Sequence, residues 1–484
     1  MPDSGHLNAK MKAYMDALSP AARAMLVRTV KAAEARGEGP PPMKALMAAV
    51  ARLEAGSSLS DLNLLGRSDE GARPLRTDPM PDPAPWSDRL RQAVLQPVGA
   101  IAADGDVPVK QVGRIRRASL APLWTWITRD LLPGPHAEAL RAEGAGDLAG
   151  TARAFRREIA RAVVEALRAA ETDPRAWQKL ALHAGGDMVA RDLRDVVYVL
   201  QRDTQFAALV QQLPRQIGPA EVGDAGLLQI LRGVVEQSVI SAAFVGAVLL
   251  QRTASPWLLA QLAVKLTGTS DARLLHTGRY GAFIDVVISE AERQVEILRQ
   301  STATRPERAQ ARAALREFHD ILRNLRFGIE VDDVPVWFKR IAAARRDISE
   351  VVGREVENTS GLVRRALRVE TLNGGFGGGW DADAFEDAEF AVRLLVEARA
   401  CQDSLALNDL LVRTRKQLEP TLQVLSDKLM ADLKSNAALD RDAMLAAVDG
   451  SIRLTAIVFG EELAAIQRKS RDLALQRPAG RAHG

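Results

Sequence analysis

The segment DPRAWQKLALHAG, residues 173–185, opens on an Asp-Pro pair and closes on a glycine. SPWLLAQLAVKLTG, residues 255–268, repeats that grammar with Ser255, Pro256 and Gly268. A side-chain oxygen at the first position accepts from the free N–H groups of a helical turn, and proline is already shaped for that turn. A terminal glycine permits a left-handed exit. Between such signals, apolar residues recur every three to four positions. TARAFRREIARAVVEALRAAE places Phe155, Ile159, Val163 and Ala166 on one stripe. Two-residue alternation is not sustained anywhere, and only Phe327 to Val336 offers stretches that read as extended. The expected class is all-α, a multi-helix bundle-like body with a small N-terminal helical unit and a proline-rich linker.

Composition supports the pattern. Hydrophobic residues make up 47% of the 484, but aromatics only 4%, so the core must be built from Leu, Val, Ile and Ala. Leu and Ala are strong helix formers. The capping signals at uneven intervals argue against a fixed-period solenoid.

The expected organisation runs as follows. Residues 1–65 form a helical unit, with Ser19 and Pro20 starting one helix and Gly56 ending another. Residues 66–88 hold five prolines and read as a linker. Residues 89–136 form an arm, with Trp124 and Trp126 packing it onto the helical body at 137–370. A glycine-rich loop at 371–382 leads to C-terminal helices at 383–476 and a disordered tail at 477–484. Within those last helices Leu411, Leu418 and Leu425, with Leu422 and Leu429, give about two heptads, and Pro420 marks a helix start or kink. The stretch VISAAFVGAVLL, residues 239–250, would span about 18 Å as a helix, short of a ~30 Å hydrocarbon core, and reads as a buried central helix.

The glycine-rich loop invites comparison with phosphate-binding fingerprints. Gly375 and Gly377 fit a G-x-G-x-x-G start, but its last position is Trp380, and no lysine follows as a P-loop requires. A calcium loop fails at Phe385. The simpler expectation is a flexible loop before a helix capped by Asp383, with Glu386 as its capping-box partner.

Two arginine-rich stretches are candidates for an anionic partner. One holds Arg114, Arg116 and Arg117; the other holds Arg340, Arg345, Arg346, Arg364, Arg365 and Arg368. Solvated helical faces with internal ion pairs would produce the same pattern. The overall balance, 65 basic against 61 acidic residues, is too even to imply nucleic acid by itself. His276, Arg279 and Tyr280 form a compact polar cluster, HTGRY, between two apolar helices. The six histidines make no metal-binding pair, and no serine-nucleophile motif occurs, so neither a metal nor a cofactor is expected. Cys401, the single cysteine, fits a small buried hydrophobe.

The leading functional expectation is a non-enzymatic, cytoplasmic helical scaffold, interaction or regulatory protein of bacterial origin, working through a protein partner or self-association. One alternative is a binder of nucleic acid or acidic surfaces through the arginine-rich helices. A second is an enzyme with a polar pocket in the helical body. No transmembrane segment is expected.

Overall fold

The computed structural model describes residues 85–476 apart from 106, 172, 370–379 and 436–440. The expected N-terminal unit, all but the end of the linker, most of the glycine-rich loop and the tail lie outside the described residues. What is described is all-α, with strand reduced to one two-residue pair.

The chain begins with α1 (Trp86–Gly99) and a parallel pair of short strands, β1 (Ala102–Ala103) and β2 (Ile115–Arg116), in the register Ala102 to Ile115. Next come α2 (Leu120–Trp126), α3 (Pro133–Arg141), α4 (Leu148–Glu171), α5 (Pro174–Ala184), α6 (Asp187–Leu200) and α7 (Asp203–Gln212). The middle holds α8 (Ala225–Glu236), α9 (Ala242–Leu250), α10 (Trp257–Thr267), α11 (Ala272–Thr277) and α12 (Gly281–Ala303). It continues with α13 (Arg308–Gly328), α14 (Pro335–Glu357) and α15 (Thr359–Ala366). Four helices close the described chain: α16 (Ala382–Ala400), α17 (Asn408–Ser435), α18 (Arg441–Phe459) and α19 (Glu461–Gln476).

One apolar core runs from Leu90 to Ala464. The long helix α12 lies inside it and packs on α9, α10, α13 and α14. A methyl group at Gly246 would stand 3.2 Å from the Phe283 ring, so the glycine lets α9 lie close against α12. The apolar stretch expected to be central is so: residues 244–250 are all buried. Among the described residues no helix is long and apolar enough to cross a membrane.

The capping grammar works as physics requires. The Asp173 carboxylate accepts from the Arg175 N–H at 3.0 Å, and α5 leaves through Gly185 at φ +105°. Gly268 ends α10 in the same left-handed region.

Four expectations need correction. The strands form at residues 102–103 and 115–116, whereas Phe327 ends a helix and Val331–Asp333 is a 3₁₀ turn. The linker does not reach residue 88, because Trp86 is buried at the start of α1 and its indole N–H donates to the Ala139 carbonyl at 3.1 Å. Burying an indole outweighs the local proline content. The cap of α16 is Asp381, whose carboxylate accepts from the Ala384 N–H at 2.9 Å, while Asp383 turns outward to Arg305 at 2.8 Å. Trp380 sets that earlier start by donating to the Ala366 carbonyl at 3.0 Å. Finally, Pro420 does not start a helix: it lies inside α17, one helix of 28 residues. Interior proline costs about 3 kcal/mol. Leu411, Leu418, Leu422 and Leu429 are buried along the same helix, each worth roughly 1.5–3 kcal/mol, and together they prevail.

Candidate functional site

Helix α13 buries a regular stripe that includes Leu315, Phe318, Ile321, Leu322 and Leu325. Phe327 comes two residues later. Two residues on a helix turn the side chain through roughly 200°, so Phe327 points away from that stripe. It is 83% exposed, the most exposed large apolar side chain among the described residues.

Beside it lies a groove of about 330 Å³ between α10 and the end of α13. Trp257, Ala260 and Val264 line it from one face of α10, and Phe327 and Ile329 from the other side. Its polar contributions are Gln261, Lys265 and Asn324. Spacings of three and four along α10 bring its lining residues onto one face.

Other exposed apolar side chains lie on α11 and α14. Trp337 is fully buried at the start of α14, and its indole N–H donates to Asp285 at 2.9 Å. Its neighbours Val336 and Phe338 are exposed. Leu274 of α11 is exposed next to buried Leu275. Arg273 reaches Asp333 at 3.6 Å, and the His276 and Trp337 rings meet edge-on at 5.1 Å. Those contacts fix α11 against the start of α14. Of the chain's 11 phenylalanines, Phe327, Phe338 and Phe459 are exposed among the described residues, and Phe327 lies where α10 packs on α13. Apolar groups of this size on a folded surface mark contact sites more often than isolated ones do.

The sequence-derived candidates occupy different places. Arg114 pairs with Glu290, Arg116 with Asp192 and Arg117 with Asp104. Arg340 makes a two-pronged contact with Glu292, 2.8 Å at each prong, and also reaches Asp285 at 3.2 Å. Arg345 donates to the backbone carbonyls of Ser404 and Asp403, at 3.3 and 3.4 Å. Burial, and next the nearby Arg326, pushes the Arg345 pKa down from its ordinary value. Arg346 pairs with its neighbour Asp347, Arg365 with Asp381 at 3.6 Å, and Arg364 donates to Thr421 at 3.3 Å. Arg368 is exposed. Eight of these nine side chains meet separate partners, and Arg368 has none among the described residues.

Of His276, Arg279 and Tyr280, the last two stay together on Glu236 and His276 points elsewhere. His276 lies on Trp337, while Arg279 donates to the carbonyl of Glu236. The Tyr280 hydroxyl donates to the Glu236 carboxylate at 3.4 Å. Burial, and then that carboxylate, pushes the Tyr280 pKa up to about 12. His319 lies elsewhere, with its Nδ1 2.9 Å from the Ser404 hydroxyl. Among the described residues no group of three His, Cys, Asp or Glu side chains is arranged to hold a metal ion. Cys401 is buried, and burial, followed by Glu397, pushes its thiol up to about 12.

Sequence reasoning passed over Phe327, Trp257 and Phe338. The signal for Phe327 was available: a phenylalanine out of step with a strong helical stripe. For Trp257 it was not, because a tryptophan just after Ser-Pro reads as a core anchor.

No protein-family model, no curated protein and no solved structure matches the chain.

Proposed function

We propose that the chain is a non-enzymatic helical interaction protein, and that a protein partner docks on the apolar end around Phe327. The observation that carries this is the near-complete exposure of Phe327 at the rim of a groove floored by Ala260 and Ile329. A partner helix with apolar residues at three- and four-residue spacing suits a groove of this kind. Lys265 and Gln261 at the rim give such a partner polar contacts that fix its orientation. The pairing of Arg114, Arg116 and Arg340 with part-buried or buried acids, and of Arg345 with backbone carbonyls, favours this reading over a nucleic-acid surface.

The experiment compares the full chain with Phe327→Ser and with the pair Phe327→Ser and Leu274→Ser in affinity capture, with light scattering to separate self-association from a different partner. An aromatic contact at the centre of an interface contributes roughly 2 kcal/mol, or ~30-fold in affinity. Partners or oligomers that wild-type protein retains and the serine variants lose would support the docking end. Retention unchanged by the variants, or a monomer that retains nothing, would overturn it.

A further inference from the structure

On the C-terminal half, five guanidinium groups converge from four helices. Arg312 and Arg316 stand one turn apart on α13, Arg393 is on α16, Arg453 on α18 and Arg468 on α19. They line a single groove of about 440 Å³ whose remaining lining is Glu397 with Val396, Ala456 and Ile457.

The carboxylates beneath are fewer than the arginines. Glu397 takes two parallel hydrogen bonds from Arg316. Glu389 accepts from Arg393, at 2.7 and 3.0 Å, and also from Arg453. Glu461, in the first turn of α19, pairs with Arg468. Arg312 has no carboxylate partner among the described residues. Five arginines against three paired carboxylates leave two positive charges over, with Asp320 a more distant acid toward Arg316.

The placement is also specific. Glu389 and Glu397 are buried, so they hold their arginines from below. The Arg453 guanidinium lies 4.9 Å from the centre of the Phe385 ring, which holds it from the side. A guanidinium carries five N–H donors, and the single bond to Glu389 leaves Arg453 with most of them free. The side chains of Arg316 and Arg453 are 59% and 58% exposed. Apolar Val396, Ala456 and Ile457 supply no competing donor or acceptor from their side chains.

We propose that this groove binds a compact, multiply charged phosphate-type anion. Planar guanidinium forks match phosphate oxygens in pairs. The volume falls in the range of small-ligand sites. A nucleic-acid polymer would need a long track of available cations, whereas these five arginines line one groove of about 440 Å³. This site lies apart from the docking end, so either assignment stands without the other.

The test is isothermal titration of the full chain with sodium tripolyphosphate, at constant pH and two salt concentrations. Arg312→Gln is the informative variant, since it removes a charge that no described carboxylate depends on. Arg364→Gln is the control, an exposed arginine outside the groove. Saturable binding that weakens with salt is expected, with affinity lowered roughly tenfold by Arg312→Gln and unchanged by Arg364→Gln. Circular dichroism and an unchanged melting temperature for Arg312→Gln confirm that the variant is folded. Tripolyphosphate that does not bind, or binds equally well to both variants, overturns the proposal. So does tighter, Arg312-dependent binding of a short single-stranded oligonucleotide or of polyglutamate. An unfolded Arg312→Gln is replaced by Arg468→Gln, which must show the same loss.

Discussion

Two regions of this molecule are rich in arginine, and they use it in opposite ways. In the arm before α2, charge is sealed in around Asp192 and Glu290, with only the Arg117–Asp104 pair exposed among the pairs named above. Lys110 reaches Asp192 at 2.7 Å and also Asp195, while Ser119 and the Arg116 backbone N–H donate to the other Asp192 oxygen, at 2.8 and 3.3 Å. Arg114 and Arg293 both meet Glu290, and Gln294 donates to it at 2.7 Å. Asp192 is fully buried and Glu290 nearly so. In the groove of α13, α16, α18 and α19 two acids, Glu389 and Glu397, are buried while Glu461 is exposed, and the arginines, with Arg316 and Arg453 more than half exposed, outnumber them. Arginine content is therefore silent about function. What separates the regions is whether each cation finds a carboxylate and how far water is excluded from the pair. Buried pairs hold structure in place, because breaking one strands a charge. Exposed surplus is what a partner can use.

The largest expected effect comes from breaking the sealed region. Asp192→Ala leaves Lys110, Ser119 and Arg116 without their shared acceptor, and urea denaturation should show a loss of about 3–5 kcal/mol. Glu290→Gln keeps the shape but removes the charge that Arg114 and Arg293 face, and should cost about 1.5–3 kcal/mol by the same measurement. A loss below 1 kcal/mol for either would mean that the arm is no more sealed than the groove.

In the groove the matching change is mild. Arg453→Gln should alter stability by no more than about 1 kcal/mol, because its side chain is solvent-screened. A larger loss would place the groove arginines in the structural class of the arm.

The smallest effects sharpen the boundary between the regions. Burial, and next the Glu290 charge, holds the Glu317 carboxyl above the usual carboxylate range. A carboxyl with a raised folded-state pKa favours the folded chain while protonated. Its contribution is full below the ordinary carboxylate pKa and is lost as pH rises through the raised value. Glu317→Gln should flatten that part of the stability–pH curve, and Glu290→Gln should reduce it. A slope insensitive to both substitutions would place its source elsewhere. Likewise the Cys401 thiol, neutral until about pH 12, should resist iodoacetamide at pH 8 in the native chain and react once urea is added. Rapid native alkylation would contradict its burial.

Much of the fold was legible because helices are written locally. Asp173, Pro174 and Gly185 mark both ends of α5 within thirteen residues, and residues 244–250 declare their burial by having no polar side chain. Pro420 misled as a helix start because its local cost is outweighed by the leucines buried along α17, and Asp383 because a tryptophan bond to Ala366 moved the helix start. The sites were far less legible. Arg114 meets its acid 176 positions away, and Arg316 meets Glu397 81 positions away. Nothing in the spacing of either stretch reveals those partners. Phe327 is the exception, since its misfit with the stripe of α13 can be read from the 21 residues of that helix alone.

The contrast between sealed and available arginine is tested most directly by phenylglyoxal modification of the native chain, followed by peptide mass spectrometry, with and without tripolyphosphate. Arg316 and Arg453, both more than half exposed, should be modified early and be shielded by the anion, together with Arg312. Arg114, whose side chain is 10% exposed, should stay unmodified in either condition. Modification of Arg114 at the rate of Arg316, with no shielding in the groove, would contradict the account.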